Sequence, residues 1–104
     1  MVELLSEKQA EDIILLDIGR VASFADYFVI ASAATTRQME ALLDSIEDEL
    51  TKKSVTVRRE GASDSGWVLL DLGDVIVHLF DPSTRAYYRI EELWSRGAAV
   101  VRFQ

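Results

Sequence analysis

Several residue types are scarce or missing in this chain, and each absence excludes a class of protein. The 104 residues contain no cysteine, which excludes disulfide frameworks and thiolate metal sites. The single histidine has no second imidazole with which to build a transition-metal site. No apolar run reaches the roughly 18 residues of a transmembrane helix, and the first residues lack the basic start and long apolar stretch of a signal peptide. We therefore expect a soluble, cytoplasmic protein with no membrane partner.

Basic residues are also outnumbered: 11 Lys and Arg face 18 Asp and Glu, for a net charge of −7. Such a surface repels a phosphate backbone, so direct, sequence-specific binding of nucleic acid is not expected. It would instead steer the protein toward basic partners, although many acidic proteins use their charge only for solubility. With 49% hydrophobic and 28% charged residues, the composition predicts one ordinary globular domain over residues 1–104.

The pattern of apolar residues predicts an α/β fold. Five strands are predicted, at residues 12–18, 26–32, 55–59, 67–72 and 75–80. Three helices are predicted, at residues 2–11, 35–51 and 83–94, the last ended by Gly97. Thr35 with Gln38 predicts a capping box, and Asp81 followed by Pro82 predicts a second helix start. We expect a five-stranded mixed sheet with flanking helices, against which the apolar tail at 98–103 packs.

The predicted hairpin at residues 67–80 is the most informative stretch. Gly73 and Asp74 suit a two-residue turn, which pairs Trp67 with Phe80 and Asp71 with Ile76. Because side chains alternate along a strand, the hairpin has an apolar face and a mixed face. The apolar face carries Val68, Leu70, Leu72, Val75, Val77 and Leu79. The mixed face carries Trp67, Leu69, Asp71, Ile76, His78 and Phe80.

Two interpretations of the mixed face remain open. Trp67 and Phe80 belong to the core if a helix covers them. The polar side chains beside them favour exposure, because burying Asp71 and His78 without partners would cost several kcal/mol. Aromatic anchors beside isolated polar groups are typical of a protein–protein hot spot. In the last helix, Tyr87 and Tyr88 diverge by about 100°, so we expect one to pack inward and the other to be available to a partner.

An enzymatic interpretation depends on Asp71 and His78. An Asp–His pair could serve as a general base, but the mixed face offers no serine or threonine as a nucleophile. Asp71, Asp74 and Asp81 could also be read as metal ligands for phosphoryl or nucleotidyl transfer. Asp74 is explained by its turn and Asp81 by its helix cap, which leaves one carboxylate rather than a converging set. No catalytic residue, metal or cofactor is therefore predicted.

Several segments together resemble the ribosomal silencing factor (Iojap) family. They lie in order between about residues 12 and 94 and read Asp26-Tyr-Phe-Val-Ile-Ala-Ser32, Thr35-Thr-Arg-Gln38, Gly66-Trp67, Asp71-Leu-Gly-Asp-Val-Ile-Val-His78, Arg85-Ala-Tyr-Tyr88 and Glu92-Leu-Trp94. The resemblance implies a fold similar to nucleotidyltransferases without their catalytic motifs. Ala33 and Ala34 stand where the family commonly has glycine.

The resemblance also implies a function. A family member would bind the large ribosomal subunit through the basic ribosomal protein numbered fourteen at the subunit interface. It would thereby block joining of the small subunit and repress translation under nutrient limitation. Homodimers are a further implication of the resemblance. Carried onto this chain, the partner surface would be Trp67, Leu69, Asp71, Ile76, His78 and Phe80, with Asp74, Arg85 and Tyr88 at its rim.

Two rival functions belong to other classes. One is a metal-dependent nucleotidyltransferase or hydrolase using Asp71 and His78, which saturable binding of a divalent metal or nucleotide would favour. The other is a generic acidic dimerisation module, in which self-association would occupy the Trp67 face.

Overall fold

Six strands form one mixed sheet in the computed structural model, which describes residues 1–94 and 99–103. They are β1 (Glu11–Asp17), β2 (Tyr27–Ser32), β3 (Arg58–Glu60), β4 (Trp67–Asp71), β5 (Val75–Phe80) and β6 (Ala99–Phe103). Their order across the sheet is β3-β4-β5-β2-β1-β6. In the part of the chain that is described, β2 and β5 run parallel, and every other neighbouring pair is antiparallel.

The prediction of five strands is wrong by one. The segment expected as an apolar tail is β6, which pairs with β1 from Ile13 opposite Phe103 to Asp17 opposite Ala99. The strand expected at residues 55–59 is shorter and later, at Arg58–Glu60, and its three residues are exposed at the edge of the sheet. Two arginines and a glutamate at an exposed edge discourage pairing with another chain.

The described helices are α1 (Val2–Glu7), α2 (Thr36–Lys52), α3 (Pro82–Tyr88) and α4 (Ile90–Trp94). The first ends four residues before its predicted end. The helix predicted at 83–94 is divided at Arg89, whose φ of 49° lies in the left-handed region and cannot continue a right-handed helix. The predicted stop at Gly97 lies outside the described residues.

Both predicted helix caps are confirmed. The Thr35 hydroxyl accepts a hydrogen bond from the Gln38 N–H at 3.0 Å, and the Gln38 side chain accepts one from the Ala34 N–H at 2.8 Å. The Asp81 carboxylate accepts from the Thr84 N–H at 2.7 Å, with Pro82 at the start of α3. Each cap satisfies a backbone donor that the first helical turn leaves unpaired.

The predicted register of the hairpin is confirmed from Trp67 opposite Phe80 to Asp71 opposite Ile76. The turn depends on Gly73, whose φ of 95° is readily adopted only by glycine. The register places the apolar face of the hairpin against α2, in a core that includes Val68, Leu70, Val77 and Leu79. The opposite side of the sheet holds a second core that includes Phe28, Phe80 and Ile90.

No helix in the described residues has both the length and the apolar character needed to span a membrane.

Candidate functional site

The mixed face of the hairpin is partly covered, which corrects the expectation that all of it is open. Phe80 is completely buried, and His78 and Ile76 are only 5% and 9% exposed. They belong to the side of the sheet where Ile90 and Trp94 of α4 also pack. The break at Arg89 separates α4 from α3, so the sequence pattern, which predicted one continuous helix, could not show this covering.

The hairpin residues that remain accessible lie on β4 and at the turn, whereas the mixed-face residues of β5 are buried. Trp67, Leu69 and Asp71 are half-buried, and Asp74 at the turn is exposed. The accessible set is therefore one aromatic, one aliphatic and two acidic side chains.

Trp67 is held on three sides by its neighbours. Its ring stacks on Phe80, with centroids 4.9 Å apart and planes 28° apart. The Tyr88 ring of α3 lies at the same 4.9 Å centroid distance. The indole Nε1–H donates a hydrogen bond to Nδ1 of His78 at 3.2 Å. Trp67 is thus a fixed side chain with part of its surface facing solvent.

An open notch lies beside Trp67, between the loop before β4 and the outer side of α3. Its volume is about 570 Å³, enough for a large side chain of a partner. The lining residues are Ser65, Trp67, Ser83, Thr84, Tyr87 and Tyr88. Three aromatic rings with hydroxyl groups between them can bury apolar area and also donate or accept hydrogen bonds.

Both tyrosines of α3 are exposed, so the expectation that one packs inward is wrong. Tyr87 is 80% exposed and Tyr88 is 50% exposed, and their rings meet edge to face at 5.0 Å. Short helices beside a sheet have a narrow buried stripe, and in α3 that stripe is occupied by Arg85.

Arg85 is buried rather than at the rim, which corrects its predicted position. Its Nη1 donates to the Ser32 hydroxyl at 2.8 Å, and its Nε donates to the Glu91 carboxylate at 3.0 Å. The guanidinium therefore ties α3 and α4 to the end of β2. A six-residue separation is not helical spacing, so only the break at Arg89 allows Arg85 to reach Glu91.

Sequence reasoning missed a second group of aromatic side chains. The Phe24 side chain is 55% exposed. Its ring centroid lies 5.7 Å from that of Trp94 and 6.0 Å from that of Phe28. The ring centroids of Phe28 and His78 are 4.7 Å apart, and the His78 ring in turn packs beside Trp67. A continuous series of ring contacts therefore connects Phe24 to Trp67. Phe24 lies in a connection with no periodic pattern, and nothing in the sequence pattern places it beside Trp94. We call Phe24, Trp67, Tyr87, Tyr88 and Trp94 the aromatic surface.

Asp71 and His78 do not form a pair. Asp71 lies opposite Ile76 and accepts a hydrogen bond from the Gly73 N–H at 2.8 Å, while His78 lies opposite Leu69 and bonds to Trp67. Among the described residues, no group of three or more histidine, cysteine or acidic side chains is placed to hold a metal ion. The donor set that a two-metal mechanism needs does not converge here.

Two side chains near the aromatic surface have displaced pKa values. Burial lowers the pKa of His78 from 6.5 to about 4, because the charged imidazolium is poorly solvated among the Phe28, Trp67 and Phe80 rings. The Asp81 carboxyl has a lowered pKa chiefly because it accepts the Thr84 backbone N–H, with burial acting in the opposite direction. His78 is therefore neutral, and Asp81 ionised, at physiological pH.

Comparison with known proteins gives consistent results. A family model described as "Ribosomal silencing factor during starvation" matches residues 1–103. The ribosomal silencing factor of Bacillus subtilis (strain 168) is 40% identical over 89 residues, which cover 85% of this chain and 75% of that protein. The Mus musculus protein named "Mitochondrial assembly of ribosomal large subunit protein 1" is 30% identical over 99 residues, covering 91% of this chain and 43% of that protein.

The fold has a solved counterpart. A crystal structure of a protein from Chromobacterium violaceum superposes with a TM-score of 0.85 at 37% identity, covering 90% of this chain and 79% of that one.

Proposed function

The chain belongs to the ribosomal silencing factor family, and from that premise we propose that it binds the large ribosomal subunit and represses translation. The name of the mouse relative refers to the large ribosomal subunit, which supports this choice of partner. The observation that carries the proposal is the aromatic surface: Trp67 is fixed from below by Phe80, and the notch beside it opens to solvent.

Fixed aromatic side chains suit a binding hot spot. A side chain that is already ordered loses little conformational freedom on binding, so more of its contact energy appears as affinity. Trp67 and Tyr88 would supply buried area, and Leu69 would extend it along β4. Phe80, Ile76, His78 and Arg85 would contribute from beneath, by fixing the side chains that touch the partner.

Charge narrows the kind of partner. Asp71 and Asp74 lie at the turn end of the hairpin, on a chain with a net charge of −7. A basic protein surface complements them, whereas exposed ribosomal RNA would repel them. We propose the basic ribosomal protein numbered fourteen at the subunit interface as the contact.

The proposed mechanism is steric and non-enzymatic. A protein bound at the subunit interface would prevent the small subunit from joining, and translation in the cytoplasm would fall when nutrients are limited. We also propose that free copies form homodimers through the same aromatic surface, in competition with the ribosome. A fold relationship to nucleotidyltransferases remains part of the proposal. No contact in the described residues favours a metal-dependent nucleotidyltransferase or hydrolase.

Co-sedimentation with purified large subunits tests the proposed surface. We expect Trp67→Ala and Asp71→Arg each to weaken binding about 30-fold, the effect of losing a hot-spot side chain of roughly 2 kcal/mol. Tyr27→Ala is the matched control, because Tyr27 is a 39% exposed aromatic beside an apolar groove with Val29 and Val75 on the opposite side of the sheet. Circular dichroism and thermal melting would confirm that each variant is folded. Binding of both variants at the wild-type level would remove the proposed surface.

A further inference from the structure

The hydrogen bond between Trp67 and His78 fixes the orientation of the indole ring. An indole has one donor and no acceptor, and Nε1–H of Trp67 already points inward to Nδ1 of His78 at 3.2 Å. Its accessible part is therefore ring surface without a polar atom. A partner that binds Trp67 in this orientation would meet it by packing alone.

A histidine at position 78 is not the residue that would make the folded protein most stable, because its surroundings are buried and apolar. It is 5% exposed, with the Phe28 ring at 4.7 Å and the buried Ile30 beside it on β2. Because Nδ1 accepts from Trp67, the neutral imidazole carries its proton on Nε2. That buried Nε2 has no hydrogen-bond partner among the described residues. An unpaired buried donor opposes folding, and an apolar side chain at this position would avoid the penalty.

An apolar side chain could not hold the Trp67 N–H. Burial lowers the pKa of His78 to about 4, so Nδ1 is an available acceptor at any pH at which ribosomes function. Stability and the orientation of Trp67 thus favour different residues at position 78, and the chain has the residue that suits orientation.

We infer that His78 is a positioning residue, which orients the Trp67 indole for partner binding through the Nε1–Nδ1 hydrogen bond and itself makes no contact with the partner. This inference rests on the proposed function, since it concerns the same surface. It predicts that removing the acceptor reduces affinity without reducing stability.

A matched pair of substitutions isolates the hydrogen bond. Asparagine and leucine have nearly the same shape, but only asparagine places an oxygen where the imidazole has Nδ1. Binding of His78→Leu and His78→Asn to purified large subunits would be measured together with thermal stability. In the free proteins, NMR would follow exchange of the two indole N–H groups, with Trp94 as the internal reference. If His78→Leu fails to fold, His78→Phe makes the same comparison with a side chain of ring size.

We expect His78→Leu to bind about tenfold more weakly, because Trp67 must then be ordered on binding. Its thermal stability should equal or exceed that of His78→Asn, and its Trp67 indole N–H should exchange faster. His78→Asn should restore both affinity and slow exchange. In a Trp67→Phe background, the leucine and asparagine variants should bind equally.

Three results would overturn the inference. Wild-type affinity of His78→Leu would contradict it and leave the proposed function standing. Equal weakness of the leucine and asparagine variants would assign the loss to packing instead. Failure of the wild-type protein to bind large subunits would contradict the proposed function, and this inference with it.

Discussion

His78 and Arg85 are polar side chains buried beside the sheet, and each has at least one hydrogen-bond partner in the fold. His78 accepts the Trp67 indole N–H, and Arg85 bonds to Ser32 and Glu91. Both were expected at the partner surface, His78 because burial without a partner is costly and Arg85 because the family resemblance implied it. Trp67 lies 11 residues from His78 and Ser32 lies 53 residues from Arg85, so the sequence pattern could not show that these hydrogen bonds would form.

The buried imidazole makes stability depend on pH in a defined window. The folded pKa of His78, about 4, lies below the ordinary histidine value of 6.5, so between these values the unfolded chain binds a proton that the folded protein does not. The free energy of unfolding should therefore fall as pH drops from 6.5 to 4, by about 3 kcal/mol from this group. Chemical denaturation of the wild type and His78→Leu across this range measures the difference. Parallel pH profiles for the two proteins would contradict the assignment.

The buried guanidinium should be important for stability rather than for contact with a partner. Arg85→Ala leaves the Glu91 carboxylate without its counter-ion and should lower the free energy of unfolding by about 3 kcal/mol. Arg37→Ala, at an exposed position on α2, is the control and should change it by less than about 0.5 kcal/mol. Urea denaturation compares them. A loss at Arg85 no larger than at Arg37 would show that the pair contributes little.

At the scale of the helices and strands, the sequence correctly predicted the features that depend on neighbouring residues. The caps at Thr35 and Asp81 and the turn at Gly73 each depend on residues within a few positions, and all three are present as expected. Strand β6 pairs with β1 from the other end of the chain, and such pairing leaves no mark in either segment alone. The helix break at Arg89 contains no glycine or proline, the residues that usually mark such a break in a sequence. One helix was therefore predicted where the structure has two.

The N-terminal cap of α2 provides a test at this scale. Thr35→Ala removes the acceptor for the Gln38 N–H and should destabilise the protein by about 1 kcal/mol. Thr51→Ala, an exposed position in the last turn of α2, removes the same atoms without a cap and should be nearly neutral. Thermal melting distinguishes the two. Equal effects would mean that the cap does not stabilise the helix.

At the scale of the whole molecule, the two sides of the sheet have different roles. One side packs against α2 and provides a continuous apolar core. The other is covered only in part by α3 and α4, and its aromatic side chains reach solvent around their edges. The sequence predicted which hairpin residues share a side, because strand alternation is local. It could not predict how far two short helices would extend over that side, and the candidate site is correspondingly narrower than expected.

The acidic balance also acts at this scale. A net charge of −7 disfavours contact with exposed RNA and favours the basic ribosomal protein that we propose as the partner. In the proposed complex, charge would select the location on the subunit, and the aromatic surface would supply the affinity there.

Joining of purified small and large subunits, followed by light scattering, tests the central claim most directly. With large subunits saturated by the wild-type protein, we expect the joined fraction to fall in proportion to occupancy, while Trp67→Ala at the same concentration leaves joining unchanged and Tyr27→Ala inhibits as the wild type does. Normal joining by large subunits that demonstrably carry the wild-type protein would contradict the account.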